Sequence, residues 1–261
     1  MFLDNEQNIL NEVCTYALNQ HNYFLYNNNS FNRKIINALK DEKSILPNFG
    51  HDNYPPDFYC EKHNIMFDVL RINDTEVRKG YNPVMIEERK IEKEIRNLNS
   101  NLNKNNIEIF TTGSSSYVIE NHTYENYKKQ GLRTISHHIE NDKIEKYWET
   151  NFPNIKNKGL LIYDETECYF EGKVILQMGR QALYVWDAEH LPVIHHPWED
   201  KNFIDIIYKS KIDFVIWVTP YKPFGEICRK QNIFYPIITI IDTRYPASKY
   251  TNYNYDILVV G

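Results

Sequence analysis

Hydrophobic positions recur along the chain with two spacings, and each spacing predicts a type of element. Apolar residues three or four positions apart, such as Ile9, Val13 and Ala17, predict a helix over residues 4–20. Similar patterns predict helices over residues 31–41 and 84–99, one or two polar helices over residues 124–148, and a helix over residues 201–210. Apolar runs predict strands over residues 107–111, 159–164, 174–178, 183–186, 213–219 and 236–242. This mixture indicates a mixed α/β fold.

Residues 55–72 predict a β-hairpin, because two apolar stretches flank a polar turn at residues 61–64. If the turn has an even number of residues, Asp57 lies directly opposite Asp68 on the neighbouring strand. An odd-length turn would slip the register by one residue and send the two acids to opposite faces. The relation between the two carboxylates therefore depends on the turn.

The pairing of Asp57 with Asp68 creates an electrostatic conflict. Directly opposed residues have Cβ atoms about 4.5–5.5 Å apart, and like charges in that position destabilise a sheet. Asp68 also shares its face with Met66, Leu70 and Ile72, so we expect it to be buried, where an unpaired carboxylate is costly. A bound divalent cation would relieve both problems. The alternative is that Asp57 merely ends a turn after two prolines and Asp68 pairs with a nearby Arg or Lys.

The motif formed by Pro56, Asp57, a short spacer and Asp68 inside an apolar strand resembles the PD-(D/E)XK nuclease superfamily. The resemblance covers roughly residues 4–112. It implies that Asp57 and Asp68 hold one or two Mg²⁺ or Mn²⁺ ions, which activate the attacking water and stabilise charge on the phosphate. The N-terminal helix would supply another acid.

The fold implied by this resemblance is a restriction-endonuclease-like core, with a central mixed sheet flanked by helices. We expect this core in residues 1–150 and a C-terminal α/β extension in residues 151–261, packed on the core as one elaborated unit. Glu6 and Glu12 are the candidate acids of the first helix, and residues 23–26 are a candidate for the first strand.

The sequence departs from the family at the catalytic lysine, because the position two residues after Asp68 is Leu70. Lys90 or Lys93 on the predicted helix over residues 84–99 could supply the amine, as could Arg71 if the strand twists. Otherwise the site is inactive.

The predicted helix over residues 84–99 carries two further features near the hairpin. Glu88 lies on its apolar stripe, so it is a candidate metal ligand or a helix N-terminal acid favoured by the macrodipole. Arg89, Lys93 and Arg96 form a local basic surface that could follow a phosphate backbone. A solvated helix face explains these charges equally well.

Composition narrows the class of protein. Hydrophobic residues make up 42% of the 261 residues and charged residues 25%, and the 14% aromatic content is too high for a disordered chain. The longest apolar runs stop after about five residues, whereas a membrane span needs roughly 20. The net charge of -5 means that a nucleic acid must be held by a local patch or through bridging cations.

The N-terminus has no basic region or cleavage site of the kind that marks a chain for export, so we expect a cytoplasmic protein. The four cysteines stand at long spacings without a CxxC pair, and we expect reduced thiols. The adjacent pair His137 and His138 is set aside as a zinc site, because neighbouring histidines point in different directions. Asp164, Glu165 and Glu167 close a predicted strand and are the best acids for an alternative site.

The leading hypothesis is a metal-dependent nuclease-like protein that hydrolyses phosphodiester bonds in nucleic acid, with DNA favoured over RNA. The resemblance implies roles in restriction, phage defence or repair. The alternative is a non-catalytic subunit with a degenerate nuclease fold that binds nucleic acid or another protein. We expect no membrane partner, and a homodimer or larger complex stays open.

Overall fold

The computed structural model describes residues 3–48, 56–73, 124–139, 142–166, 168–171, 173–178, 181–185, 193–224, 228, 232–246, 251 and 258–260. The predicted helix over residues 84–99 and the predicted strand over residues 107–111 lie outside these ranges. The described helices are α1 (Leu3–Leu18), α2 (Ser30–Lys40), α3 (Tyr124–Ile139), α4 (Asp142–Asn151) and α5 (Lys201–Lys209). The described strands are β1 (Tyr23–Leu25), β2 (Leu46–Pro47), β3 (Phe58–Cys60), β4 (Ile65–Ile72), β5 (Asn157–Asp164), β6 (Tyr169–Glu171), β7 (Lys173–Met178), β8 (Gln181–Val185), β9 (Phe214–Val218), β10 (Ile238–Asp242) and β11 (Leu258–Val260).

The mixed α/β class predicted from the sequence is confirmed by a seven-stranded mixed sheet flanked by helices. Its strand order is β1-β10-β9-β5-β4-β3-β2. Strands β4, β5 and β9 run parallel at the centre, whereas β3 and β2 continue antiparallel on one side and β10 lies antiparallel to β9 on the other. The sheet contains strands from both sides of residue 151, since β5, β9 and β10 lie between β1 and β4.

Two apolar cores lie on the two faces of the sheet. One core packs α1 and α2 against Phe67, Leu161 and Ile216, and the other packs α3 and α5 against Leu70 and Ile162. The central strands are therefore buried on both faces, which is usual for parallel strands. Alternating residues of β4 face the two cores in turn, so that Asp68 faces the core under α3.

Capping residues explain where two of the helices begin. The Asn29 side chain accepts a hydrogen bond of 2.8 Å from the backbone N–H of Asn32 at the start of α2. The Asp200 side chain accepts one of 2.9 Å from Asn202 at the start of α5. Side chains of this kind satisfy N–H groups that have no partner in the first helical turn.

Close packing between α3 and α5 depends on Gly131. A Cβ atom at this position would lie 2.6 Å from the Phe203 ring, so a larger residue would push the helices apart. None of the described helices is long and apolar enough to cross a membrane.

The candidate first strand at residues 23–26 is present in the structure as strand β1. It pairs with β10 at the edge of the sheet far from the hairpin. The strand that neighbours β3 is β2, only two residues long. A short edge strand containing Pro47 carries little sequence signal, because proline breaks the alternating pattern of a strand.

Candidate functional site

The predicted hairpin is confirmed, and its register brings Asp57 and Asp68 together. Phe58 pairs with Phe67 across β3 and β4, and continuing this register outward places Asp57 opposite Asp68. The two carboxyl groups hydrogen-bond to each other. Asp57 Oδ2 also accepts a hydrogen bond of 2.7 Å from the backbone N–H of Val69, which fixes its carboxyl group against β4.

The even-length turn that sets this register is stabilised by Asn64. Its backbone has a φ of 48°, in the left-handed region that asparagine tolerates better than most residues. Its N–H donates to the Glu61 carbonyl at 3.0 Å, and its side-chain oxygen accepts from the backbone N–H of Lys156 at 2.7 Å. The turn is thus held both within the hairpin and to the segment that precedes β5.

A third carboxyl group, that of Glu6 on α1, joins the pair. Its side chain hydrogen-bonds to Asp57. Glu12, the predicted metal ligand on the same helix, lies elsewhere: its oxygens accept hydrogen bonds from Tyr16 at 2.5 Å and Tyr163 at 2.7 Å. Six helical residues span about 9 Å along the axis, so only one of the two glutamates can reach the pair.

Crowding and burial raise the pKa values of all three acids. Burial, followed by the charge of Asp68, raises the pKa of Asp57 to about 9. Burial and the neighbouring Asp57 raise the pKa of Glu6 to about 7. Burial raises the pKa of Asp68 to about 6, although the hydrogen bond from Asp57 opposes the shift. The cluster therefore retains protons near neutral pH that ordinary carboxyl groups have lost.

His138 on α3 is the basic side chain that contacts Asp68. Its Nδ1 lies 2.5 Å from Asp68 Oδ2, and the Asp68 side chain is only 6% exposed. Burial lowers the pKa of His138, while the charge of Asp57 opposes that shift. The imidazole is accordingly neutral at pH 7, so it orients Asp68 by a hydrogen bond without cancelling the carboxylate charge.

The sequence contained a signal for His138 that the histidine spacing alone did not reveal. Gly131 and Ile135 are buried on the face of α3 that contacts the sheet, and His138 follows at the same helical spacing. The rings of His137 and His138 contact each other edge to face, with 5.6 Å between their centroids. Only His138 reaches the carboxyl groups.

The predicted residues on the helix over residues 84–99 all lie outside the described residues. They are Glu88, Arg89, Lys90, Lys93 and Arg96. Their assigned roles therefore stay predictions.

Leu70 and Arg71, the two residues considered for the role of the catalytic lysine, have other contacts. Leu70 is buried in the core under α3 and is 2% exposed. Arg71, considered as a substitute for the lysine, points to the other side of β4 and forms an ion pair with Glu165. Because Glu165 is paired with Arg71, it is not a free acid for the alternative site at Asp164, Glu165 and Glu167. Glu167 lies outside the described residues.

The donor chemistry of the pair suits a hard divalent cation, although the ligand set is small. Within the ranges that the structure describes, no three His, Cys, Asp or Glu side chains are arranged to hold a metal ion together. Two adjacent carboxylates are nevertheless compatible with Mg²⁺, which commonly takes one or two protein carboxylates and completes its shell with water and substrate phosphate.

Comparison of the chain with protein-family models, with curated proteins and with solved structures finds no match in any of the three.

Proposed function

We propose that the chain is a metal-dependent nuclease-like protein that hydrolyses phosphodiester bonds in nucleic acid, with DNA favoured over RNA. The proposal rests on one observation: Asp57 and Asp68 are held side by side in a buried position, with a third acid against them and a neutral imidazole as the basic contact. Restriction, phage defence or repair are the roles that follow from the resemblance of the motif.

The electrostatics of the pair support a cation at this position. Burial and mutual repulsion disfavour the ionised forms of the three carboxyl groups, which is why their pKa values are raised. A divalent ion that replaces their protons would stabilise the ionised cluster. Asp57 and Asp68 would hold Mg²⁺ or Mn²⁺. When bound, such an ion activates water and stabilises negative charge on a phosphate.

His138 and Val69 would position the two aspartates. His138 holds one oxygen of Asp68, and the backbone N–H of Val69 holds one oxygen of Asp57. Such outer contacts fix the direction in which a carboxylate presents its remaining lone pairs to a metal ion. The pair is therefore preorganised by neighbouring elements of the fold.

The resemblance implies an N-terminal helix, the acidic hairpin, a helix over residues 84–99 and a strand over residues 107–111. Helix α1 precedes the hairpin of β3 and β4, as the resemblance implies. The later helix and strand lie outside the described residues. Lys90 stays the predicted lysine substitute.

Cleavage assays with matched variants test the proposal. Wild-type protein, Asp57→Asn and Asp68→Asn would be incubated with labelled single- and double-stranded DNA and RNA in Mn²⁺. We expect at least a hundredfold loss of cleavage in both variants, because each removes a charged ligand while preserving shape. Asp41→Asn, which alters an exposed acid paired with Lys62, is the control and should cleave as wild type does.

Two results would contradict the proposed nuclease activity. Cleavage that persists unchanged in Asp57→Asn would show that the activity comes from a contaminant. Absence of cleavage by the wild type on all four substrates would favour the alternative, a non-catalytic subunit that binds nucleic acid or a protein. The observation favouring that alternative is Leu70, which buries an apolar side chain where the family places its lysine.

A further inference from the structure

Two cysteines that are far apart in the sequence meet in the core under α3. The sulfur atoms of Cys168 and Cys228 lie 3.9 Å apart, although 60 positions separate the two residues in the chain. Both side chains are buried, and both are free thiols. A disulfide bond is about 2.05 Å long, so a relative shift of about 2 Å would bring the two sulfur atoms to bonding distance.

Backbone hydrogen bonds hold the two cysteines in place from different directions. Cys168 directly precedes β6, where the carbonyl of Tyr169 accepts a hydrogen bond of 2.9 Å from the N–H of His195. The carbonyl of Cys228 accepts one of 2.9 Å from the N–H of Ile233. The fold therefore fixes the backbone beside each of the two sulfur atoms.

The other two cysteines belong to the core on the opposite face of the sheet. Cys14 on α1 and Cys60 on β3 are buried there, whereas Cys168 and Cys228 are buried under α3. The Cys60 sulfur lies 3.2 Å from the hydroxyl oxygen of Ser44. The sheet separates these two thiols from the close pair, so they serve as internal controls for its reactivity.

A buried ammonium group gives the close pair its chemical character. Lys222 is fully buried, and its positive charge favours the thiolate forms of both cysteines. The hydrogen bond with Cys168 lowers the pKa of Cys228; burial opposes this shift and the charge of Lys222 adds to it. The hydrogen bond with Cys228, followed by burial, raises the pKa of Cys168. Because the thiolate is the nucleophile in sulfur chemistry, Cys228 is the residue that attacks.

We propose that Cys168 and Cys228 form a redox-active pair that a hydroperoxide converts to a disulfide. No residue of the carboxyl cluster takes part, so the inference is independent of the proposed nuclease activity. The burial of the pair selects the oxidant: Cys168 is 0% exposed and Cys228 is 2% exposed, so a reagent close to water in size is required. Hydrogen peroxide meets that requirement.

The reaction proceeds in two displacement steps. The thiolate of Cys228 attacks one peroxide oxygen, the O–O bond breaks, and an S–O bond forms; the departing hydroxide takes up a proton and leaves as water. The sulfur of Cys168 then attacks the sulfenic acid of Cys228, the S–O bond breaks, and the S–S bond forms. The departing hydroxide takes the proton of Cys168 and leaves as a second water. Two thiols lose two electrons, and one peroxide gains them.

The disulfide would close a long loop of the chain. Residues 168–228 include β6, β7, β8, α5 and β9, so the link joins the start of β6 to the segment that follows β9. A link across a loop of this length stabilises a protein chiefly because it restricts the unfolded chain. The oxidised protein should therefore resist unfolding better than the reduced protein.

Mapping the cysteines after oxidation tests the proposal directly in the wild type. Native protein would be treated with hydrogen peroxide, its remaining thiols blocked with N-ethylmaleimide in denaturant, and the digest analysed by mass spectrometry. We expect a peptide that links Cys168 to Cys228 and is separated by dithiothreitol, with Cys14 and Cys60 recovered as blocked thiols. Oxidised glutathione, which is too large to enter the core, should produce the same link at least about tenfold more slowly.

Trapping of the intermediate tests the order of attack. In Cys168→Ala the sulfenic acid of Cys228 has no thiol to displace its oxygen, so dimedone should label Cys228 after peroxide treatment. In Cys228→Ala we expect no label on Cys168. Circular dichroism would verify the fold of both variants, and a variant that does not fold would be replaced by the serine substitution at the same position. Labelling of Cys168 alone would overturn the assignment of Cys228 as the attacking thiol.

Thermal unfolding measures the effect of the link on stability. Oxidation should raise the melting temperature of the wild type by at least about 4 °C. Cys60→Ala removes a buried cysteine from the other core and should show the same rise, whereas Cys228→Ala should show none. An equal rise in Cys228→Ala would show that the effect does not come from this link.

Three results of the mapping experiment would overturn the inference. The first is recovery of Cys168 and Cys228 as blocked thiols after peroxide treatment. The second is their oxidation to sulfinic acids without a link. The third is the same mixture of cysteine pairings in native protein as in protein oxidised in urea, which would assign the link to the unfolded chain.

Discussion

Two buried aspartates on neighbouring strands of one sheet face opposite electrostatic surroundings. Asp68 on β4 and Asp164 on β5 lie on the same face, about 13 Å apart along the strands. Helix α3 crosses both and supplies a contact to each, His138 to Asp68 and Tyr127 to Asp164. The same face and the same helix therefore hold two carboxyl groups in different ways.

Asp164 is surrounded by donors. Its side chain is fully buried and accepts hydrogen bonds from Tyr127 at 2.8 Å, from Trp217 at 3.3 Å and from Thr166. The ammonium group of Lys222, also fully buried, lies 3.4 Å from Asp164 Oδ2 and above the Tyr127 ring. These contacts make Asp164 the partner of a buried ion pair that is surrounded by hydrogen-bond donors.

Asp68 has the opposite environment. Its near neighbours include the carboxyl groups of Asp57 and Glu6, and burial keeps His138 neutral. Burial alone does not separate a functional acid from a structural one, because both aspartates are buried. The two aspartates differ in the charge of their neighbours: Asp164 has the ammonium group of Lys222 beside it, whereas Asp68 has two other carboxyl groups, which is why the proposed cation site is at Asp68.

The largest effect on stability is expected when Lys222, the cation beside Asp164, is replaced. Lys222→Met leaves the charge of Asp164 buried and uncompensated, so we expect a loss of about 3–5 kcal/mol in the free energy of unfolding, measured by urea denaturation. Lys62→Met removes the same group from an exposed ion pair with Asp41 and should leave the denaturation midpoint unchanged. Equal midpoints for the two variants would show that the Asp164 cluster does not stabilise the fold.

A smaller effect is expected when the two aspartates are changed identically. Asp164→Asn removes the charged acceptor of several buried donors and should cost about 2–3 kcal/mol. Asp68→Asn removes one of three crowded acids and should alter the unfolding free energy by less than about 1 kcal/mol, in either direction. The comparison fails if Asp68→Asn destabilises as strongly as Asp164→Asn.

Taken per pH unit, the smallest expected effect is the slope of stability against pH, measured as melting temperature in chelator. An acid whose pKa is higher in the folded state than in the unfolded state contributes most to stability below the unfolded-state pKa, which is near 4. This contribution is lost as the pH rises to the folded-state pKa. For Asp57 the folded value is about 9. Stability should fall between pH 5 and pH 9 by at most about 1.4 kcal/mol per pH unit for each extra bound proton.

Asp57→Asn and added metal provide the controls for this slope. The variant removes a titrating group, so its melting temperature should depend less on pH. Millimolar Mn²⁺ binds the deprotonated pair and should raise the melting temperature of the wild type more at pH 8 than at pH 6. A wild-type profile that rises toward pH 9 in chelator contradicts the raised pKa values of the cluster.

The hairpin was the most predictable part of the site, because local rules set it. A four-residue turn that can end on a left-handed Asn64 determines the register, and the period of two along a strand then places Asp57 opposite Asp68. The apolar residues Met66, Leu70 and Ile72 likewise predicted that the face of β4 carrying Asp68 is buried, and the opposite face proved to be buried as well. No contact with a distant part of the chain was needed for either inference.

The choice between Glu6 and Glu12 was not predictable. Both lie on α1, and the periodicity of that helix predicts only that it packs on the sheet. Which glutamate meets Asp57 depends on how far α1 is displaced along its axis relative to the hairpin, and tertiary packing sets that displacement. The same packing places Glu12 against Tyr163, more than a hundred residues later in the chain.

The sequence by itself determined the mixed α/β class and the hairpin, because the spacing of apolar residues decides them locally. It also limited the register of the two acids to two alternatives, and the length of the turn in the structure chose between them. Only the tertiary structure decided that α3 brings His138 to Asp68 and Tyr127 to Asp164, and that Lys222 neutralises one aspartate and not the other. Those contacts join residues 37 to 70 positions apart. Their geometry follows from how helices and strands pack over the whole sheet, which no local pattern specifies.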